Sequence, residues 1–302
     1  MNWNRILNTM IIIFLVLNIA IFAFGKLSIQ NKYVLSDERE SLLKEILYEN
    51  GVTMYNFYPS YEPMSSLVVQ APEYDRDAIL NRVFDGQRLE NLREMTEERV
   101  IYEAYNLDDE VLVFYTGNYA GIIDYSGPSP LYQLKAFTEE EAIKLASDFA
   151  DDLIGELLPV TLSDVHYDED TNRYEILFNQ IYDESVMFCN YVRIVIGEEG
   201  IMTARASLYP VVSHSSEKKE LYPVDEVIYM WMDTIDVASD ELARIKQIEI
   251  GYDLGLDELN KDASIEVVPY YRITMQDGSR YDISAYTNQL QKEAFIGAFY
   301  RE

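Results

Sequence analysis

Few residues of this chain could do covalent chemistry. Cys189 is the only cysteine, and His166 and His214 are the only histidines. A thiol enzyme needs a cysteine that is activated by a base such as histidine. Cys189, however, lies in the strand-like run VMFCNYVRIVI, where a small apolar residue suits a packed face, and neither histidine lies in a recognisable motif. The sequence therefore does not support a thiol enzyme.

The acidic run DEDTN, at residues 168–172, raises the question of calcium. Its oxygens fall at positions 1, 3 and 5 of an EF-hand-like loop, but Arg173 stands where glycine is required and no glutamate follows at position 12. A solvated hairpin turn is the simpler prediction. With 53 acidic residues in the chain, any pairing of carboxylates for glycoside hydrolysis is uninformative.

Motifs of the common enzyme classes are absent from the sequence. It contains no Gly-x-Ser-x-Gly elbow, no Gly-x-Gly-x-x-Gly or Walker loop, and no His-Glu-x-x-His. We therefore expect a protein that is not an enzyme, with no catalytic residues, no metal site and no cofactor.

Composition narrows the possible partners. The chain has 24 basic and 53 acidic residues, and its net charge of -29 repels nucleic acid and anionic lipid headgroups. Hydrophobic residues make up 48% of the chain, with 25 tyrosines and 12 phenylalanines, which is enough for a substantial core. A single cysteine excludes an intrachain disulfide, so ordinary packing must hold the fold.

The first apolar run predicts a transmembrane helix at residues 6–24. The run contains no charged residue, and a helix of that length covers about 28 Å, close to the hydrocarbon thickness of a bilayer. A cleavable signal has a shorter apolar region that ends in small residues, whereas Phe22 and Phe24 lie at the end of this run. We expect a retained single span in the cell membrane, with residues 1–5 cytoplasmic and the acidic remainder outside the cell.

Spacing within the span suggests a helix–helix seam. The intervals of three and four residues that are typical of such seams separate Asn8, Ile11, Leu15, Asn18 and Phe22. An asparagine amide in hydrocarbon gains from a hydrogen bond to a partner helix. The alternative is that Asn8 lies at the headgroup level and Asn18 is merely tolerated, and the sequence does not decide between them.

The residues after the span predict a first α+β domain over residues 27–130. Helices are expected from Ser36 to Asn50-Gly51 and over residues 75–84, because capping residues flank apolar positions at helical spacing. Strands are predicted at residues 52–58, 66–70, 99–106 and 110–116, the last two as a hairpin. The run SGPSP at residues 126–130 marks the domain boundary.

A second α+β domain is predicted over residues 134–302. Thr138 and Glu141 form a capping box before a helix whose apolar face comprises Ala142, Leu145, Ala146, Phe149 and Leu153. Strands follow at residues 160–167, 173–182, 188–196 and 201–209. The order then recurs, with a helix from Tyr222 through Ile235 and strands at residues 245–252, 265–275 and 279–286. Helices packed on antiparallel sheets are the expected result.

The last hairpin offers a candidate contact surface. Asp277-Gly278 is a strong two-residue turn signal. On the flanking strands Tyr271, Ile273, Tyr281 and Ile283 alternate with polar residues, so the polar face should point outward. The candidate partner-binding residues on that face are Tyr270, Arg272, Arg280 and Tyr286.

Two segments carry a resemblance to a known family. The opening MNWNRILNTMIIIFLVLNIAIF combines a short Trp-containing end, an arginine and an uncleaved span. The closing IEIGYDLGLDELNKDASIEVVPYYRITMQDGSRYDISAYTNQL has a Gly-Tyr strand, a Val-Pro-aromatic-aromatic-Arg strand and a hairpin into an Ala-Tyr-Thr strand. Both resemble the YycI (WalI) family, membrane-anchored regulatory proteins of the YycFG (WalRK) two-component system of Gram-positive bacteria. The closing hairpin is also similar, less specifically, to PepSY-type modules.

The resemblance implies a non-enzymatic, single-pass regulator with two extracytoplasmic α+β domains. Such a protein acts with YycH on the sensor histidine kinase YycG (WalK), through transmembrane and extracytoplasmic contacts, to tune signalling in cell-wall homeostasis. It also implies that there are no catalytic residues to assign.

Two other functions remain open at the level of sequence. An anchored PepSY-like module that binds a peptide or wall fragment would need a deep pocket lined by aromatic residues. A wall-acting hydrolase would need two carboxylates, or a Cys-His pair, that converge in a cleft.

Overall fold

A computed structural model describes residues 10–22, 32–54, 58–87, 91–97, 100–116, 119–127, 137–155, 157–215, 217–234, 243–254 and 264–291. The helices are α1 (residues 10–22), α2 (Asp37–Glu49), α3 (Arg76–Val83), α4 (Glu139–Ile154) and α5 (Val224–Thr234). The strands are β1 (Val52–Met54), β2 (Leu67–Val69), β3 (Asn91–Glu97), β4 (Val100–Leu107), β5 (Glu110–Tyr115), β6 (Ile122–Ser126), β7 (Thr161–Asp168), β8 (Arg173–Tyr182), β9 (Ser185–Gly197), β10 (Gly200–Ser207), β11 (Val211–His214), β12 (Ala243–Leu254), β13 (Ile265–Met275) and β14 (Arg280–Ser284). The predicted α+β class is confirmed.

The helices begin where the sequence supplies caps. The Ser36 side chain accepts from the Arg39 amide at the start of α2, and Asp75 accepts from the Ala78 amide at the start of α3. Thr138 accepts from the Glu141 amide while the Glu141 carboxylate accepts from the Thr138 amide, which completes the predicted capping box of α4. Each cap satisfies a backbone donor that has no partner inside the helix.

Hydrogen bonds join the strands into a single fourteen-stranded sheet with branches. Its main path runs β11-β2-β13-β12-β9-β10-β6-β5-β4-β3. β1 pairs with β12, β14 pairs with β13, and the β7–β8 hairpin extends from β9. Neighbours are antiparallel except for β1 with β12 and β9 with β12. The two parallel contacts are short, and the second covers only Gly251 with Val186 and Tyr252 with Met187.

Three apolar clusters divide the molecule into two lobes. Core 1 packs α3 and α4 on β5, β6, β8, β9 and β10, and we call α3, α4 and β3–β10 lobe 1. Core 2 packs α2 and α5 on β1, β12, β13 and β14, and we call these elements together with β2 and β11 lobe 2. Core 3 lies between the lobes and includes Leu177, Met187, Cys189, Tyr252 and Leu254.

The lobes do not follow the order of the chain. Core 1 combines Ile79 with Leu153, and core 2 combines Leu43 with Trp231. β6 also pairs with β10 across the break predicted at residues 126–130. The predicted boundary therefore does not coincide with a division between cores.

Most predicted elements form with small changes in length. The strand predicted at residues 52–58 ends at Met54, and residues 55–57 lie outside the described residues. On α2, Leu43 and Leu47 are buried, whereas the neighbouring Leu42 is 53% exposed. β3, β6 and β11 were not predicted. β6 was not predicted because it is a short apolar run that ends at the Gly-Pro break, and the turn residues of that break indicated a loop.

Candidate functional site

Helix α1 presents apolar side chains on all sides. Its large apolar residues range in exposure from 54% at Ile11 to 75% at Phe22. Four of the five residues predicted to form the seam, Ile11, Leu15, Asn18 and Phe22, lie on this helix, whereas Asn8 lies outside the described residues. A helix that is apolar all round needs an apolar surrounding, whether lipid or protein.

Among the described residues, Asn18 is the polar member of the predicted seam. Its side-chain Nδ2 donates to the Phe14 carbonyl oxygen, one turn earlier, at 2.8 Å. An asparagine amide has two donor hydrogens and an acceptor oxygen, so this bond uses only part of its capacity. The remaining capacity is what a seam with a second helix would use.

Across the described residues, no helix reaches the length and apolarity that crossing a membrane requires. The first and last residues of the predicted span, 6–9 and 23–24, lie outside the described residues.

The chain that follows α1 enters the folded body through residues 32–36. The Tyr61 amide donates to the Tyr33 carbonyl at 2.9 Å, and the Tyr61 hydroxyl donates to the Lys32 carbonyl at 3.2 Å. Leu35 is buried in core 2. Arg39, on the first turn of α2, pairs with Asp225 at the start of α5. These contacts fix the segment beside lobe 2.

The polar face predicted to point outward on the β13–β14 hairpin is instead largely buried. Tyr270 and Arg272 are 8% and 2% exposed, so the outward placement is wrong for both. The Arg280 side chain is 10% exposed, and Tyr286 is half-buried and donates to the Met64 carbonyl at 2.7 Å. The physical reason is that lobe 1 packs over this face, so both faces of the hairpin are covered.

Arg272 is the centre of a buried charge cluster. Its guanidinium donates from Nε and Nη2 to the two carboxylate oxygens of Asp282, at 2.7 and 2.8 Å. Nη2 also donates to Asp253 at 3.1 Å, and the guanidinium carbon lies 3.9 Å from the centre of the Phe188 ring. Both aspartates are fully buried. Such a cluster is stable only because each charge has close partners.

The cluster contains two carboxyl groups but only one guanidinium, and the pKa of Asp253 is raised. Burial raises the pKa of Asp253; Arg272 lowers it, but Asp282 raises it further, and the net shift is upward. Burial also raises the pKa of Glu249, which lies opposite Arg272 on β12. Burial alone would lower the pKa of Arg272, yet Asp282 and Asp253 hold it above its usual value. A carboxyl group at Asp253 therefore holds its proton more readily than an exposed aspartate.

A second group of ion pairs joins the lobes. Arg280 on β14 donates to Asp164 on β7 at 3.1 Å and to Glu175 on β8 at 3.0 Å. Lys246 on β12 also pairs with Asp164, and Arg193 on β9 pairs with Glu175 at 2.6 Å. Burial opposes ionisation of the two carboxylates, but these cations outweigh it, so the pKa values of Asp164 and Glu175 are lowered.

The residues of the rejected thiol dyad lie in different surroundings. Cys189 is fully buried in core 3, and burial raises the pKa of its thiol well above the usual value. The His214 ring nitrogen lies 3.0 Å from the Tyr182 hydroxyl, and His166 lies beside Gly278 in the β13–β14 turn. A buried, protonated thiol is a poor nucleophile.

The acidic run at residues 168–172 forms the predicted turn. Asp168 accepts from the Asp170 amide at 3.0 Å and from the Thr171 hydroxyl at 2.6 Å, and Asn172 adopts a positive φ of 52°. Both carboxylate oxygens of Asp168 are thus used within the turn. In the described part of the chain, no three histidine, cysteine, aspartate or glutamate residues converge in a geometry that could hold a metal ion.

Two cavities are notable among the described residues. One, of about 10 Å³, lies between the lobes, and is lined by Ser163, Asp164, Leu177, Asn179, Phe188, Gln247, Glu249, Arg272, Thr274 and Arg280. The other, of about 280 Å³, is an open cleft between α3 and the end of α4, with Tyr74 as its aromatic residue. The first holds about one water molecule. Neither is the deep aromatic pocket that a peptide-binding module would need.

The chain matches no protein-family model. No curated protein matches it either. Among solved structures, it is similar to an uncharacterized protein from Eubacterium rectale ATCC 33656, with 13% identity, a TM-score of 0.49, and coverage of 80% of this chain and 90% of that chain. It is also similar to the YpeB C-terminal domain of Bacillus megaterium, with 9% identity, a TM-score of 0.38, and coverage of 73% and 96%. Both likenesses are remote, and neither identifies a family or a function.

The burial of the interlobe charges was not predicted from the sequence. Alternation correctly separated apolar from polar positions on β13 and β14, but polar was taken to mean exposed. One signal was present in the sequence: oppositely charged residues recur at the inward polar positions of neighbouring strands. Glu249, Arg272 and Asp282, on β12, β13 and β14, are direct partners of this kind. In a long sheet with cover on both faces, such positions pair with each other instead of facing solvent.

Proposed function

We propose that this protein is a non-enzymatic, membrane-anchored regulator of a sensor histidine kinase of the YycG (WalK) type, acting with a YycH-type companion. The observation that carries the proposal is helix α1, whose apolar side chains are exposed on every side and which is followed by a folded body. Such a helix stabilises itself by entering the bilayer and by packing against other helices.

The residue-level resemblance supplies the identity of the partners. The opening and closing segments are similar to YycI proteins, and the closing segment folds as the central β12–β13–β14 meander of lobe 2. The buried charged groups of the body form ion pairs with each other, as in a structural core, and we assign the body to positioning the regulator beside its partners. We place the kinase contact on the seam of α1, with the body outside the cell.

Co-purification from native membranes tests the proposal. The tagged full-length chain, solubilised in mild detergent, should recover a sensor histidine kinase and a second single-pass protein. The matched control is a chain in which residues 6–24 are replaced by an unrelated transmembrane segment, which keeps the anchor and removes the seam. Recovery of no kinase by the native chain, or equal recovery by both chains, would contradict the proposal.

A further inference from the structure

The two lobes meet along one apolar edge and one charged edge. Core 3 forms the apolar edge, where Met187 and Cys189 of lobe 1 pack with Tyr252 and Leu254 of lobe 2. Backbone pairing between β9 and β12 is confined to the same edge and ends at Gly251. On the other side of Gly251, towards the start of β12, side chains make the interlobe contacts, and most of these side chains are polar.

Gly251 brings the two backbones into close approach. A Cβ at this position would lie 2.4 Å from the Val186 carbonyl oxygen and 2.8 Å from ring atoms of Phe188. Glycine therefore lets β12 approach β9 without strain at this position. Gly251 lies where the edge held by core 3 meets the edge held by charges, which is the position that a pivot between the two edges must occupy.

Opposite charges face each other across the second edge. Lobe 1 presents the carboxylates of Asp164 and Glu175 with the guanidinium of Arg193. Lobe 2 presents the cations of Lys246 and Arg280. The other ionisable groups that face this space are His166, Glu249, Asp253, Arg272 and Asp282. Three ion pairs thus join the lobes, from Arg280 to Asp164 and Glu175, and from Lys246 to Asp164.

Most of the residues that line the space between the lobes are polar. Their contacts with each other can be exchanged for hydrogen bonds to water. Ser163, Asn179, Gln247 and Thr274 surround the small cavity together with the charged residues. Nη1 of Arg272 is buried and has no hydrogen-bond partner within the described residues. Separating these surfaces exposes mainly groups that water solvates well, together with Leu177 and Phe188, while most of core 3 stays packed.

We propose that the lobes open and close about Gly251, and that the ion pairs of Arg280 and Lys246 hold the closed state. Core 3 keeps the lobes joined throughout the movement. Salt screens the Lys246–Asp164 pair most, because the Lys246 side chain is 35% exposed, and it screens the more buried pairs of Arg280 less. The open state therefore gains population as ionic strength rises. The proposal concerns the body alone and does not depend on the identity of the membrane partner.

Distance measurements between spin labels test this movement in the full-length protein in nanodiscs. Labels at Glu169→Cys in the β7–β8 turn and Gln276→Cys in the β13–β14 turn report the separation of the lobes, since both positions are exposed. A second pair, Glu169→Cys with Glu199→Cys in the β9–β10 turn, lies within lobe 1 and serves as the control. The native Cys189 is fully buried and stays unlabelled.

The interlobe distances should shift to longer values as NaCl rises from about 0.05 to about 1 M, where the screening length falls to about 3 Å. Arg280→Met should produce the same shift at low salt. Arg76→Met, which breaks the Arg76–Glu103 pair inside lobe 1, should not. Circular dichroism shows whether Arg280→Met is folded. If it is not, the same distances are measured in Lys246→Met and in the salt series on the native sequence. Unchanged interlobe distances in these measurements, or an equal shift of the pair within lobe 1, would overturn the proposal.

Discussion

Arg272 and Asp282 face each other across the β13–β14 hairpin and share two hydrogen bonds, of 2.7 and 2.8 Å. Their Cα atoms are direct partners in the register of the two strands, so the backbone itself aligns the guanidinium with the carboxylate. Asp253 reaches the same guanidinium through one bond of 3.1 Å. The two aspartates are equally buried but are not equivalent, because only Asp282 forms the bidentate pair.

Asp282→Asn should therefore destabilise the protein more than Asp253→Asn. The first change breaks the bidentate pair and leaves Arg272 with the weaker partner, at a cost of about 3 kcal/mol in the free energy of unfolding. The second removes a carboxylate whose pKa is already raised, so the cost should be well below that. Urea unfolding of the two variants, followed by circular dichroism, measures the difference. Equal losses would show that the two aspartates contribute alike, and a larger loss for Asp253→Asn would show that Asp253 is the main partner.

The free energy of unfolding should fall at acid pH because the interlobe carboxylates of Asp164 and Glu175 become protonated. The pKa values of Asp164 and Glu175 lie below their usual 3.8 and 4.5 in the folded protein. Each carboxylate therefore adds stability above its unfolded pKa, and this contribution is lost as the pH falls through the lowered folded value. Glu249 and Asp253, whose pKa values are raised, act with the opposite sign and lose their contribution as the pH rises.

Arg280→Met should flatten the acid side of the stability curve. Without Arg280, the folded pKa values of Asp164 and Glu175 move upward, so less stability remains to be lost below pH 4.5. Thermal unfolding at a series of pH values, with Arg76→Met as the matched variant, gives the measurement. A slope that stays the same in Arg280→Met would mean that Arg280 does not set these pKa values.

Local signals in the sequence predicted most of the elements. Thr138 and Glu141 marked the start of α4, and Asp277-Gly278 marked the β13–β14 turn, because caps and turns depend on neighbouring residues only. The arrangement of the lobes could not be predicted in this way. β1 and β2 join β12 and β13, which lie far along the chain, and no local pattern encodes such a pairing.

The candidate site was predicted only in part, for a related physical reason. The seam on α1 depends on spacing within one helix and could be proposed from the sequence. The burial of Arg272 depends on lobe 1 covering a sheet face that alternation alone assigns to solvent. A polar residue is exposed or buried according to whether a partner charge meets it, and that information lies in the tertiary structure.

Gly251→Ala should destabilise the protein by about 1–3 kcal/mol through overpacking. The added Cβ would meet the Val186 carbonyl oxygen, which is backbone and cannot move aside cheaply. Gly86→Ala is a useful comparison, since nothing lies within 4 Å of a Cβ there and only its positive φ opposes the change. Chemical unfolding should rank Gly251→Ala as the more severe variant. The reverse order would argue against the close approach of β9 and β12.

Asn18→Leu should weaken association with the proposed partner kinase while leaving membrane insertion and export intact. The substitution makes α1 more apolar, so insertion is not impaired, but it removes the only described polar side chain on the predicted seam. Because the Asn18 amide already donates to the Phe14 carbonyl, the expected loss is modest, about 1 kcal/mol or roughly fivefold in association. A two-hybrid assay of the membrane spans, with Ile13→Leu on the opposite side of the helix as the control, measures the effect. Unchanged association for Asn18→Leu, or an equal loss for Ile13→Leu, would show that the helices do not meet along the seam.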